Sequence, residues 1–340
     1  MGRIPHREAS IETVKRKPVL LISEAEGFSP RAAARLRTVC DVVARQLDRP
    51  GLLQAAKDSE ILWVRLANGI DREVFDAAPR LQAVVTATTG LNHIDLETAE
   101  GRGIRVMSLR GETDFLRQVR ATAELTLGLI LALVRMIPQA VRHTLEGGWS
   151  RDLFKGRELF GKTAGVVGYG RLGQQMGQYL SAMGLTVIAS DPHVTSAGVP
   201  LLPLNELLAE ADLVTLHVQL SAATAGMFGA AEFSRMKPGS WFVNTSRGEL
   251  VDEPALERAL VTGRLGGAAL DVLCGENSAG MSSHPLVRYA SSHGNLLITP
   301  HVGGCTQESM QKCEEFMADR VAEWLGDRGT CVPEISRCAE

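Results

Sequence analysis

From Pro18 onward the chain alternates short runs of apolar and β-branched residues with longer runs whose apolar positions recur at helical spacing. Strands are predicted at Val19–Ile22, Thr38–Val43, Ile61–Arg65, Leu81–Val85 and Ile104–Met107, with helices such as Pro30–Arg37 and Asp71–Ala78 between them. One long helical run is expected from Ala121 to Leu145, closed by Gly147 and Gly148. A second series of strands follows at Lys162–Val167, Leu185–Ala189, Leu213–His217, Ser240–Asn244, Gly267–Asp271 and Leu296–Thr299. Helices are expected near Leu204–Ala209, Pro254–Val261 and Gln307–Trp324. Alternation of strand and helix in both halves predicts an α/β fold with two doubly wound parallel sheets, each covered on both faces. The last helix feeds no further strand, so a return to the first unit is expected, which would make that unit discontinuous. Residues 1–17 are polar and of mixed charge and read as a tail.

The most informative junction lies where the strand ending at Val167 becomes a helix running to Met183. Gly168, Gly170 and Gly173 stand there at the spacing of a dinucleotide-binding turn. Gly168 permits the tight turn, Gly170 lets backbone amides approach a pyrophosphate, and Gly173 lets helix and strand pack closely. The pyrophosphate would face a helix N-terminus, whose unpaired N–H groups favour negative charge. Asp191 closes the next strand, where a carboxylate accepts hydrogen bonds from the adenine-ribose hydroxyls and repels a 2′-phosphate. No cation follows it in Pro192-His193-Val194, so NAD is expected in preference to NADP.

With 340 residues, 45% apolar and 22% charged, the chain can bury two cores. The net charge of −3 comes with dispersed basic residues, which argues against nucleic-acid and membrane partners. Leu125–Val134 is the most apolar stretch and is too short to span a bilayer. The N-terminus lacks the apolar core of a secretory signal, and the six cysteines (40, 274, 305, 313, 331 and 338) form no C-x-x-C pair. Reduced thiols, a cytoplasmic location and no bound metal are expected.

Three strand ends of the second half carry residues suited to one chemistry. Arg247 leaves an apolar strand beside a glycine, Glu276 follows a buried strand by a few residues, and His301 sits between Pro300 and the pair Gly303-Gly304. Reduction of a 2-keto acid requires a cation to hold the carboxylate and polarise the ketone, and an acid to protonate the alkoxide. A guanidinium provides the first and an imidazolium the second, with a carboxylate keeping the imidazole charged and oriented.

These motifs, together with Thr89–Asp95, Ala123–Thr126, Asn244–Gly248 and Thr299–Gly304, occur in the order found in the D-isomer-specific 2-hydroxyacid dehydrogenase family. The chain resembles that family from about Pro18 to about Arg320, and its phosphoglycerate dehydrogenase branch most, through Leu62–Arg65 and Arg135–Ala140. The resemblance implies a Rossmann NAD domain at 119–304 inserted into a flavodoxin-like substrate domain made of 1–118 and 305–340. It implies His301 as the acid/base, Glu276 as its partner, and Arg247 and the amides of Gly90 and Leu91 as holders of the substrate. Thr89, Arg171, Leu172, Val218, Thr245, Asp271 and Gly303 would line the NAD site with the glycine turn and Asp191. Arg65 and Arg135 would lie near a distal anion of the substrate, which could then be 3-phosphoglycerate or another acid with a second anionic group. The resemblance further implies a homodimer through the cofactor domain, with Leu125–Val134 partly against the partner, and closure of the two domains about hinges near Val119 and Cys305.

Several positions depart from the family pattern. Cys274-Gly275-Glu276-Asn277 replaces a stretch commonly acidic and proline-containing, and a polar insertion at 278–283 follows. Gln219 stands in place of a proline, and Asn92 in place of an aspartate. Ending at Glu340, the chain is expected to lack the regulatory domain of long phosphoglycerate dehydrogenases. Two other functions fit the scaffold: an NAD-sensing, corepressor-like binding protein, and a formate-oxidising enzyme, which places Gln where this chain has Glu276.

Overall fold

The structure is a computed structural model that describes residues 16–276 and 280–330. Most of the polar N-terminal stretch, Asn277, the first two residues of the 278–283 insertion, Cys331 and Cys338 lie outside the described residues. The chain divides into two compact units, Met1–Gly111 with Met310–Glu340, and Glu112–Ser309.

In the first unit the elements run β1 Val19–Ile22, α1 Pro30–Arg37, β2 Asp41–Ala44, α2 Arg49–Ala55, β3 Ile61–Val64, α3 Arg72–Ala77, β4 Ala83–Thr86, α4 Leu96–Gly101 and β5 Arg105–Met107. Side-chain caps start the helices: Ser29, Asp48, Asp71 and Asp95 each accept a hydrogen bond from a first-turn amide. The sheet is parallel throughout, in the order β2-β1-β3-β4-β5. Its central strands β3 and β4 are buried along their whole length, the uninterrupted apolar pattern of a strand covered on both faces.

The second unit runs α5 Thr113–Leu116, α6 Ala121–Val134, α7 Ile137–Leu145, β6 Thr163–Val167, α8 Arg171–Ala182, β7 Thr186–Ser190, α9 Leu204–Glu210, β8 Leu213–Leu216, α10 Ala230–Arg235, β9 Ser240–Asn244, α11 Glu253–Val261, β10 Leu265–Leu270, α12 Pro285–Ser292 and β11 Leu296–Ile298. Its parallel sheet has the order β11-β10-β9-β8-β6-β7. Two apolar clusters lie on its faces, one around Phe228, Phe233 and Phe242, the other between α6, α8 and the sheet. The last helix, α13 Gln307–Thr330, carries the chain back into the first unit, where Asp319 pairs with Arg35 and the Trp324 ring lies 6.0 Å from the Arg105 guanidinium.

The single helix expected from Ala121 to Leu145 is two helices bent by 65°. Met136 adopts the left-handed conformation (φ 55°) and Pro138 falls in the first turn of α7. Proline there has no N–H to donate to the carbonyl of Val134, and in a continuous helix its ring would clash with it. No single helix among the described residues is long and apolar enough to cross a membrane. The strand expected at Thr38 starts instead at Asp41, because Thr38 closes α1 by donating its amide to the Arg35 carbonyl.

Candidate active site

The glycine turn lies at the carboxyl end of β6, beside β8, where the strand order reverses and open α/β sheets bind their ligands. Gly168 has φ 84°, and a Cβ on it would lie 2.4 Å from the His217 carbonyl oxygen. A Cβ on Gly173 would lie 2.0 Å from the Gly168 oxygen, so α8 can seat on the turn only if this position is bare. Around Gly170 the same construction meets open space. The turn thus exposes backbone rather than side chains, at a helix start whose first amides have no intrahelical acceptor. Asp191, just past β7, accepts from the Tyr169 amide through one oxygen and from the His193 amide through the other, both at 2.8 Å. That ties the acid to the turn. Arg171 donates to the carbonyls of Leu116 and Val119 and so secures the segment leading into α6. Leu172 and Val218 are half-buried at the edges of this region.

At the end of β9 the backbone is shaped by Asn244, which is 1% exposed. Its amide nitrogen donates to the Arg247 carbonyl at 2.8 Å and its oxygen accepts from the Ser246 amide at 2.9 Å. Thr245 meets Thr126 of α6, hydroxyl to hydroxyl, at 2.9 Å. Gly248 allows the Arg247 turn to lie against the chain after β10, since a Cβ would come within 2.2 Å of the Leu273 carbonyl carbon. The sequence motif contains Asn244 and Gly248 but gives neither a role. An Asn ending an apolar strand and followed by a polar turn is the signal that could have found the first.

Asp271, after β10, is 1% exposed, and its carboxylate organises the loop that carries His301. It accepts from the Thr299 hydroxyl at 2.6 Å and from the amides of Val302 and Gly303 at 2.9 and 2.8 Å, while its own carbonyl accepts from the His301 amide. These bonds hold His301 at φ 53°, a left-handed conformation unusual for a residue with a side chain. From there its Nδ1 lies 2.5 Å from Oε1 of Glu276, and the Leu273 amide donates to the other oxygen at 3.3 Å. Burial pushes the Glu276 carboxyl up, but the bond to His301, the His301 charge, the Leu273 amide and the Arg247 charge together outweigh it and hold the group below its ordinary range. The carboxylate is therefore ionised at neutral pH. Burial, with Glu253, Glu249 and Glu276 nearby, pushes the neighbouring Cys274 thiol up to about 12, which leaves it protonated and unreactive.

The residues expected from the first unit occupy the carboxyl ends of its strands. Thr88 follows β4 and donates its hydroxyl to the Gly90 carbonyl, rounding the loop that contains Thr89, Gly90 and Leu91. The amides of Gly90 and Leu91 have no hydrogen-bond partner among the described residues. Arg65 leaves β3 and pairs with Glu314 of α13, through Nε at 3.1 Å and Nη2 at 2.5 Å, both to the same oxygen. Its Nη1 donates to the Glu26 carbonyl at 2.7 Å. Arg135, in the second unit, is exposed at the end of α6.

Residues 127–303 match the family described as D-isomer specific 2-hydroxyacid dehydrogenase, NAD binding domain. Among curated proteins, the D-3-phosphoglycerate dehydrogenase of Mycobacterium tuberculosis (strain ATCC 25618 / H37Rv) is 37% identical over 93% of this chain and 58% of its own length. The human D-3-phosphoglycerate dehydrogenase is 38% identical over 82% of this chain and 51% of its own. The chain thus spans only 58% and 51% of the length of these relatives. Among solved structures, the TT0316 protein of Thermus thermophilus superposes with a TM-score of 0.79 at 33% identity, covering 91% of this chain and 97% of that one. The Aquifex aeolicus D-lactate dehydrogenase, solved with NAD and lactic acid, gives 0.79 at 28% identity, covering 91% and 96%. A glycine turn at the strand-order reversal, an acid at the end of β7 and a family match over more than half its residues lead to one conclusion: the chain belongs to the D-isomer specific 2-hydroxyacid dehydrogenase family and carries its NAD-binding domain.

Proposed function

We propose that this protein transfers a hydride between NAD(H) and a small 2-keto or 2-hydroxy acid. The observation that carries the reading is the 2.5 Å contact of His301 with Glu276, formed on strand ends of the NAD-binding unit. The residues fit the cofactor. The open space at Gly170, next to the start of α8, suits a pyrophosphate, and Asp191, tied to the turn through the Tyr169 amide, would accept from a ribose. Thr89, Gly168, Arg171, Leu172, Gly173, Val218, Thr245, Asp271 and Gly303 complete the proposed NAD-binding set. NADH, when bound, supplies the hydride.

The chain's own residues would do the rest. Gly90 and Leu91 offer amides that have no partner among the described residues to the substrate carboxylate, and Arg247 polarises the keto oxygen. His301, held by the Glu276 carboxylate, gives a proton to the forming alkoxide and takes it back in the oxidative direction. Residues 1–118 with 305–340 would be the substrate domain and 119–304 the cofactor domain.

The protein is further proposed to be a cytoplasmic homodimer that associates through the cofactor unit. Leu129, Ile130, Leu133 and Val134 of α6 are already buried in its own core. The exposed apolar residues begin with α7 instead: Ile137, Val141 and Leu145 on one helical face, then Trp149, Leu153 and Phe160. Light scattering on a size-exclusion column tests this, and a monomer would refute it.

Loss of NADH absorbance against a panel of 2-keto acids tests the activity. The D-3-phosphoglycerate dehydrogenases among the relatives put 3-phosphohydroxypyruvate on that panel. Turnover of at least one member is expected. NADH binding with no turnover across the panel would overturn the reading.

A further inference from the structure

We infer that Glu314 sets this protein's substrate class, directing it to 2-keto acids whose distal end is uncharged and against those carrying a second carboxylate or phosphate. The inference rests on the activity proposed above. In the first unit the strand order reverses between β1 and β3, so a ligand of its sheet would lie against the residues that leave those two strands. Glu24 leaves β1 and Arg65 leaves β3, and the next strand, β4, pairs its Thr86 with Val64.

Arg65 is the cation at this place, and its charge is already met. Glu314 is 2% exposed and its Oε1 takes both the Nε and Nη2 of Arg65, while its Oε2 accepts from the Ser29 amide at 2.7 Å. Arg65 is further fixed by its bond to the Glu26 carbonyl and by the Phe28 ring 5.9 Å from its guanidinium carbon. A substrate anion that drew Arg65 away would leave a carboxylate buried with one amide for company, a strongly unfavourable exchange. One that stayed would face the Glu314 charge, and beyond it Glu24, which is 6% exposed and held by the amides of Arg65 and Ala67.

An uncharged distal group meets no such penalty. The bonds to Glu314 and Glu26 use three of the five guanidinium N–H groups, so Arg65 retains donors for a hydroxyl. The adjoining strand end carries hydroxyls rather than cations, Thr86 and Thr88 being bonded to each other at 3.0 Å.

The test compares kcat/KM for matched pairs with NADH: hydroxypyruvate against 3-phosphohydroxypyruvate, and 2-oxopentanoate against 2-oxoglutarate. The wild-type protein is expected to favour the first of each pair by about tenfold or more, as like charges placed together in a binding site cost several kcal/mol. In Glu314→Gln, which keeps the acceptor for Ser29 but removes the charge, the ratio should move about tenfold toward the second. A wild-type preference for the acids with a second anionic group, or ratios that Glu314→Gln leaves in place, overturns the inference while leaving the proposed activity standing. Failure of all four acids, with no NADH consumed, overturns the activity instead. Should Glu314→Gln fail to fold, the wild-type ratios alone decide.

Discussion

The two sheets share a plan and differ in what they place at its critical point. Both are parallel and both run in the relative order 2-1-3-4-5, the second adding one strand at its far edge. In the second unit the reversal of strand order is occupied by glycines, and backbone faces the crevice. In the first it is occupied by a buried ion pair between Arg65 and Glu314 with Glu24 beside it. Topology fixes where a ligand can lie, but the side chains at the reversal decide whether the place is bare, charged or neutral. One turn is built to accept an anion, while the other has supplied its own.

The largest effect should come from the loop that carries the imidazole in the second unit. His301→Gln removes the proposed proton donor and is expected to lower kcat by roughly 10²–10⁴ while NADH binding, followed by its fluorescence, persists. Near-normal turnover would remove the imidazole from the chemistry. In the first unit, Arg65→Met leaves Glu314 buried without its cation. Breaking a buried pair costs about 3–5 kcal/mol, and the lower end is expected here because Arg65 keeps 19% of its side chain exposed. Urea unfolding followed through the first unit measures it. An unchanged midpoint would mean that the pair contributes nothing to stability and that the contrast between the two reversals is one of sequence only.

How much of this was legible beforehand follows the same division. The second unit announces itself, because a bare turn can be made only with glycine and the spacing of Gly168, Gly170 and Gly173 is a direct imprint of close approach. His301, Glu276 and Arg247 stood out because each polar residue breaks an apolar strand end, and the 2.5 Å contact joins two of them across 25 positions. Arg65 was visible as a residue at a strand end, but its partner lies 249 positions away on a helix of mixed polarity, where nothing local marks Glu314 as buried. The bend at Met136 was available in Pro138 and was obscured by the apolar run on its N-terminal side. The work of Asp271 in holding the His301 loop is likewise a matter of three-dimensional closure, invisible in a stretch that reads only as an acid after a strand.

A smaller effect tests the other end of the cofactor site. Asp191 is bonded to the turn by the Tyr169 amide, so Asp191→Ala removes both an acceptor for the ribose and a brace for the turn. The preference for NAD over NADP in kcat/KM should narrow by about tenfold, the scale of one hydrogen bond to a charged group. Because the brace serves both cofactors, the loss of affinity common to the two is separable from the change in their ratio. A constant ratio would show that the carboxylate shapes the turn without touching the ribose.

The finest discrimination concerns Glu276, whose carboxyl lies below its ordinary range and is therefore charged wherever the enzyme would work. Glu276→Gln keeps an acceptor for the His301 Nδ1–H and removes the charge. The charge on Glu276 favours a proton on the ring beside it, and the variant removes that bias while leaving the hydrogen bond. Reduction needs the protonated ring, so its alkaline limb should retreat to lower pH. Oxidation needs the neutral ring, so its acid limb should move the same way and widen the active range. Opposite consequences for the two directions, from one displacement, are what an electrostatic role demands. If kcat falls in both directions with neither limb displaced, Glu276 acts by orienting the ring alone, and the charge carried beside His301 has no more part in the chemistry than the one that neutralises Arg65.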